Sequence, residues 1–361
     1  INNNTVNVGY PTATSGVYVA INNSATATTV NINNNTIAQI PSVALAGTGT
    51  HVMIETGSPV SANANNNTIS NITRNGASGS WRGIKTTSPT NFTANGNTIE
   101  NLSWSLVTST GSFDGIYSLS SAVNVTANNN IIRNLSTPST GSLRGIVEFG
   151  ISGLKTFQNN QIYNFSTTAG GAGGASFTGI SESTGSTNDI SNNRIYSLNS
   201  TGTTGGTSGT IVGITVSSGT TNNIYKNKVY DLSTTSTGGN VNGITVSGGT
   251  TANVYNNLVG DLRASALNAA NSLGGINISG GTTSNVYYNT VYLNATSSGA
   301  LFGSAALNAS TSPNLTLRNN IFVNLSTPVG ATGFTVAYRR SGTTLTSYNR
   351  NSNRNLFYAG A

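Results

Sequence analysis

The chain has no cysteine, a single histidine, one methionine and seven prolines in 361 residues, and only 6% of its residues are charged. Without cysteine there are neither disulfides nor thiolate metal sites, and with His51 as the lone imidazole there is no zinc ligand set. No cofactor is expected. A Ser-His-Asp arrangement would have to use His51, which lies in an early repeat without a column of aspartates beside it. No apolar run approaches the length of a transmembrane helix and no leader is recognisable. The chain opens on Ile1 in mid-repeat, which points to a processed or excised part of a longer precursor. Hydrophobic residues make up 35% and the net charge is +7 from 15 basic and 8 acidic residues. Disorder would require high net charge and no regular apolar spacing, the opposite of what is found. The basic residues form no stripe interleaved with aromatics, so nucleic acid is not an expected partner. Only Arg339, Arg340, Arg350 and Arg354 cluster, as a solvated or end-capping surface.

What fills the chain is Gly, Ser, Thr and Asn, arranged in a repeat. Asparagine stands two residues ahead of an aliphatic or aromatic residue at Asn4, Asn35, Asn67, Asn97, Asn130, Asn160, Asn193, Asn227, Asn257, Asn289, Asn320 and Asn355, in steps of 30 to 35 residues. Such a period marks a stack of one supersecondary unit. The texture does not change from Asn4 to Asn355, so residues 1–361 read as one continuous elongated domain.

Alignment on the asparagine exposes three short strand signals per coil. Two residues after it come Val6, Ile37, Ile69, Ile99, Ile132 and their successors to Phe357, and three further on Ile40, Ile72, Leu102, Leu135, Phe165 and onward to Leu325. A third column, three residues before the asparagine, runs from Ile32 and Ala64 to Val286 and Leu317. The first two are expected to face inward. A Gly-Ile pair opens the remaining strand at Gly83, Gly115, Gly145, Gly179, Gly213, Gly243 and Gly275. Short strands with alternate side chains buried fit this spacing, and a helical period does not. From that glycine to the next asparagine the count is 14 or 15, whereas the return varies from 15 to 20. The variable part, as in Ser200 to Gly209 or Thr167 to Gly174, is the tolerant loop. The asparagine suits a corner that needs left-handed φ or a bond to its own backbone, and stacked amides bond along the stack. The predicted ladder comprises Asn35, Asn67, Asn97, Asn130, Asn160, Asn193, Asn227, Asn257, Asn289 and Asn320.

Segments such as NNNTISNIT, NNRIYSLNS and YNNLVGDL resemble the right-handed parallel β-helix repeat proteins, over essentially the whole chain. The resemblance implies an all-β, single-domain right-handed parallel β-helix of about eleven coils of about 32 residues. That fold serves pectin-degrading enzymes, phage tailspikes, surface adhesins and secreted repeat proteins of Gram-negative bacteria. The Ser/Thr/Asn/Gly texture looks most like the secreted surface group, which implies extracellular or cell-surface display.

Equivalent positions of neighbouring coils stack, so columns are where chemistry has to be sought. Arg82, Asp114 and Arg144 follow one another as an outward ion ladder, or as two arginines for an acidic sugar. Glu100 and Arg133 head a column continued by Tyr163, Tyr196 and Tyr230, and a second tyrosine column is Tyr225, Tyr255 and Tyr287. Stacked tyrosines either stabilise the sheet or cradle sugar rings. Asp231 and Asp261 share an outward column, a weak metal candidate without a calcium-loop motif. Counting back eleven from each asparagine places Leu119, Phe149, Glu182, Val216, Val246 and Ile278 in an inward column and leaves Glu148 outside. A buried carboxylate is costly and marks a functional acid, so a local bulge that turns Glu182 outward is expected.

Glycoside cleavage needs two carboxylates across a cleft, and lyase chemistry a base beside a cation. The weak catalytic candidates are Glu182, Glu148 and Asp114, and the paired-Asp and GHG motifs of polygalacturonase-like enzymes are missing. The leading expectation is therefore a non-enzymatic structural or adhesive module on the cell surface, a rod on the order of 50 Å long. Copies are expected to meet head to tail in a filament, or the rod to continue in a longer chain. The alternatives are an extracellular polysaccharide lyase or hydrolase, and a carbohydrate-binding β-helix with glycans as partners.

Overall fold

The computed structural model describes residues 1–10, 15–24, 26–43, 45–106, 109–119, 122–137, 141–167, 174–201 and 209–360. The tolerant loops predicted between Thr167 and Gly174 and between Ser200 and Gly209 lie largely outside the described residues. Three parallel sheets of 12, 11 and 10 strands wrap one lumen as a β-solenoid of about ten turns, about 32 residues each. One turn illustrates the route: Thr68–Arg74 in the first sheet, Ser80–Thr86 in the second, Asn91–Thr93 in the third, then Thr98–Trp104 back in the first. Each strand pairs with its equivalent one coil away, as Ile69 does with Ile99 and Ile84 with Ile116. No helix occurs among the described residues, so none is long and apolar enough to cross a membrane.

The lumen is built from the predicted columns. Ile37, Ile69, Ile99, Ile132 and their successors to Phe322 are buried, as is the column from Ile32 to Leu317. Apolar removal from water along these rows is the driving term, and hydrogen bonding between coils satisfies the backbone. The Gly-Ile pair has a steric reason. A Cβ on Gly115 would sit 2.6 Å from the carbonyl oxygen of Gly145 and 2.9 Å from Ile132 Cδ1, so only glycine lets the strand approach the lumen there.

The asparagine ladder is continuous, and it is buried from Asn35 to Asn320. From Asn4 to Asn320, both the backbone N–H and the side-chain Nδ2 of each asparagine donate to Oδ1 of the next, at 2.8–3.1 Å. The second Nδ2 hydrogen reaches a backbone carbonyl of the preceding coil, as Asn97 reaches Ala64 at 2.9 Å. The expectation that the ladder residue itself takes the left-handed corner is corrected: that conformation belongs to the residue before it, at Asn34, Asn66, Asn129, Asn159, Asn192, Lys226, Asn256, Tyr288 and Asn319. The two tasks fall on adjacent residues because a buried amide must face the stack while the corner must turn the chain.

A second left-handed column lies four residues after the ladder at Asn71, Asn101, Asn134, Asn164, Ser197, Asp231 and Asp261. It reverses the alternation, which is why residues two and five after the ladder asparagine both face inward in those coils. The coils of Asn35, Asn289 and Asn320 carry no left-handed residue at that position. There Leu293 and Asn324 turn inward, while Ile40 is exposed and Leu325 only half-buried, against the expectation for those two positions.

Candidate functional site

The chemistry-bearing residues lie on the outer faces of the three sheets, at the basic last coil and in one interior cluster. On the outer face of the second sheet, strands Ser80–Thr86, Ser112–Ser118 and Ser142–Glu148 bring Arg82, Asp114 and Arg144 into register. Arg144 donates to both carboxylate oxygens of Asp114, at 2.7 and 3.1 Å, and Arg82 lies 3.7 Å away on the other side. Arg82 also stacks over Tyr117 at 3.9 Å. The covering arginines leave Asp114 without exposed surface. Burial pushes its carboxyl up from the ordinary range, against the pull first of Arg144 and then of Arg82. The predicted ion ladder is thus present, and its carboxylate is sealed from any substrate.

Glu148 and Glu182 overturn two expectations. Neither lies outside: both are fully buried and pair directly in register. Their column reads Thr86, Ser118, Glu148, Glu182, Val216, Val246, Ile278 and Ala309. Counting back from the asparagine misplaced this column because the coils of Gly115 and Gly145 carry one extra residue in the turn before the third sheet. Leu119 and Phe149 consequently do not line the lumen, and Phe149 is exposed. No bulge interrupts Ser176–Glu182, so Glu182 points inward.

Lys155, on Leu154–Gln158 in the third sheet, completes the cluster. Its ammonium is fully buried, 3.2 Å from Glu148 Oε1, and donates to the carbonyls of Ala122 and Val123 at 2.8 Å each. Glu148 further accepts from the Gly150 N–H and, at 3.0 Å, from Thr184 Oγ1. Glu182 Oε1 accepts the Thr184 N–H at 2.5 Å, and its Oε2 has no partner. Burial raises both carboxyls, and for Glu182 the neighbouring Glu148 adds to the rise, to about 9. One lysine therefore neutralises one glutamate, and the other keeps its proton. Lys155 escaped the sequence reading although the signal existed. Five residues before each ladder asparagine the inward column reads Val30, Ala62, Phe92, Val125, Lys155, Asn188, Asn222, Ala252, Ser284 and Leu315.

The aspartate pair is resolved by a neighbour. Arg263 bonds both oxygens of Asp261 at 3.3 Å and also reaches Asp231, so a guanidinium occupies the place a cation would take. No group of three potential metal ligands occurs among the described residues. Glu100 pairs with Arg133, which donates to Tyr163 Oη at 2.8 Å, and Lys85 pairs with Glu55. His51 is buried between its strand partners Tyr18 and Trp81, and burial with the nearby Arg74 holds its pKa down at about 4. In the basic cluster, Arg339 donates to Asn308 at 2.9 Å and Arg340 to Thr344 and Ser347, while Arg350 and Arg354 are exposed.

The tyrosines form the surviving open surface. Tyr163, Tyr196 and Tyr230 stack at 4.7 and 5.1 Å with planes within 6°. Tyr225 and Tyr255 stack at 4.8 Å and 2°. Tyr287 is in register with Tyr255, but its hydroxyl is drawn to Asn285 Oδ1 at 3.1 Å. A groove of about 360 Å³ lies along Tyr255, Tyr287 and Tyr288, with Asn223, Asn253 and Asn256 as its polar lining.

No protein-family model, no curated protein and no solved structure matches the chain.

Proposed function

We propose that this chain is a non-enzymatic structural and adhesive module, a stiff rod displayed outside the cell. The observation that carries this reading is the fate of the eight acidic residues. Glu55, Glu100, Asp114, Glu148, Asp231 and Asp261 are each held by a lysine or arginine of the wall. Glu182 is buried and protonated, and Asp189 is approached by Gln158 at 3.4 Å. General acid-base work on a polysaccharide needs a carboxylate that reaches the scissile bond with a second across the cleft. Glu55, Glu100, Asp114 and Asp231 join one coil to the next, while Glu148 and Asp261 are held within their own coils. The buried amide ladder adds rigidity along the same axis, because each coil is bonded to its neighbour through side chains as well as backbone. The Ser/Thr/Asn/Gly surface supports extracellular display.

Electron microscopy of the purified chain, combined with incubation against acidic and neutral polysaccharides, tests the reading. Rods of uniform width with no new reducing or unsaturated ends are expected. Copies pairing head to tail would appear as fibres in the same images. Turnover that disappears in Asp114→Asn, Glu148→Gln or Glu182→Gln would replace this reading with the lyase or hydrolase one.

A further inference from the structure

We infer that the break in the tyrosine column at Tyr287 forms a slot for a neutral sugar ring of an extracellular polysaccharide. This goes beyond the structural role and names the chemistry by which the rod would adhere. Tyr225 and Tyr255 cover each other, their centroids 4.8 Å apart and nearly parallel. A continued stack would bury the opposite face of Tyr255 under Tyr287. Instead the Tyr287 hydroxyl is tied to Asn285, no stacking joins Tyr287 to Tyr255 as it joins Tyr225 to Tyr255, and a groove of about 360 Å³ runs past Tyr255, Tyr287 and Tyr288. The apolar face of a pyranose fits an open aromatic face of this kind, and a hollow of this size takes one ring with its substituents.

The polar lining specifies hydroxyl groups rather than charge. Asn253 donates to Asn223 and accepts from Asn285, at 2.9 Å each, which orients the amides along the groove. A side-chain amide carries two N–H donors and a carbonyl, so donors beyond those in this row are left for ligand hydroxyls. The lining residues are all Asn or Tyr, so nothing in the groove selects an acidic sugar. An acidic glycan would instead be drawn to arginine, and Arg82 and Arg144 are already committed to Asp114.

Tyr288 is the second, independent observation. It holds the left-handed corner with φ 56°, where the same column elsewhere carries mostly asparagine, and it is 58% exposed. An aromatic residue in that conformation costs stability, and with more than half of its surface exposed little burial offsets the cost. Lys226 holds the same corner without an aromatic ring, so what distinguishes Tyr288 is that its strained, exposed ring borders the groove. It forms the outer lip of the slot.

The test is affinity electrophoresis of the full chain in gels containing a neutral β-1,4-glucan, with polygalacturonate as the acidic arm and thermal unfolding as the fold control. Retention in the acidic gel, driven by the +7 net charge, should disappear at high salt, whereas retardation in the neutral gel is expected at any salt. Tyr255→Ala should weaken it about tenfold, the loss of one stacking contact, while Tyr255→Phe keeps it. Tyr288→Asn should bind more weakly while unfolding at a higher temperature, which separates lost binding from lost structure. Equal retardation of the wild type and all three variants, retardation in the acidic gel alone, or no retardation in either would overturn the slot. Cleavage of the glucan would overturn the non-enzymatic reading and leave the slot standing.

Discussion

Glu148 and Glu182 face each other across adjacent strands inside the lumen, two carboxyls with one lysine between the sheets to serve them. A parallel sheet stacks equivalent positions about 4.8 Å apart, so two like groups in one inward column cannot both ionise without a large penalty. The structure resolves the conflict by charge on one and a proton on the other.

Stability should therefore fall as pH rises. Glu182 ionises near 4.5 when unfolded and at about 9 when folded, so between these values the native state holds a proton that the unfolded chain has released. Its contribution is complete below the unfolded value and is lost progressively as pH climbs through the folded one, at up to ~1.4 kcal/mol per pH unit. Glu148, raised in the same direction, adds to the slope. Thermal unfolding from acid to mildly alkaline pH should show the decline, and Glu182→Gln should flatten it and be the more stable form at pH 8. A profile unaffected by that substitution would sink the assignment.

Lys155→Met should be among the most damaging single changes. It strips the counter-charge from Glu148 in a site with no exposed surface and should cost about 3–5 kcal/mol. The double variant with Glu148→Gln should recover much of this loss, because no uncompensated charge remains. Urea titration of both variants measures the difference, and a double variant no better than the single one would argue against the pairing.

The buried amide ladder should outweigh an exposed amide pair. Asn160→Ala orphans the buried N–H groups of Asn130 and a lumen-side carbonyl, each worth ~1–3 kcal/mol when left unpaired. Asn63→Ala removes one exposed bond to Asn31 and should cost about 1 kcal/mol or less. Comparable losses in unfolding experiments would mean that the interior row carries no special load.

Gly145→Ala should destabilise by ~1–3 kcal/mol, since its Cβ would meet Gly179 O at 2.6 Å and Ile162 Cδ1 at 2.8 Å. The obstacle is backbone on one side and a packed side chain on the other, so neither yields cheaply. Gly260→Ala, whose nearest atom is Tyr292 O at 3.4 Å, is the tolerant control. Calorimetry on the pair would reveal whether the Gly-Ile motif is steric in origin.

Most of the fold was legible because a stacked coil repeats its demands. The inward columns from Ile37 to Phe322 and from Ile32 to Leu317 recur at fixed offsets from the asparagine, and the offset survives wherever no turn intervenes. The reading failed where counting crossed a turn of variable length. One extra residue in the coils of Gly115 and Gly145 moved Glu148 to the wrong face, whereas Glu182 was counted inward correctly and only the cost of burying a carboxylate argued for a bulge that does not exist. Lys155 and the left-handed column at Asn71, Asn101, Asn134 and Asn164 stand at constant spacing from the ladder asparagine and are legible in the sequence on that count. The partnership of Arg263 with two aspartates was not readable, because a long flexible side chain reaches a neighbouring coil by torsions that no spacing encodes.

The repeat period by itself determines a tube of stacked parallel strands with an apolar lumen and a row of amides, since strand alternation and the needs of a sharp corner depend only on near neighbours in the chain. Which charged groups meet, which carboxyl keeps its proton, and where the tyrosine row parts to leave a groove were decided only by the tertiary structure. Those outcomes depend on rotamers, on turn lengths and on the low dielectric of the interior, where a displacement of one residue exchanges water for a neighbour's charge.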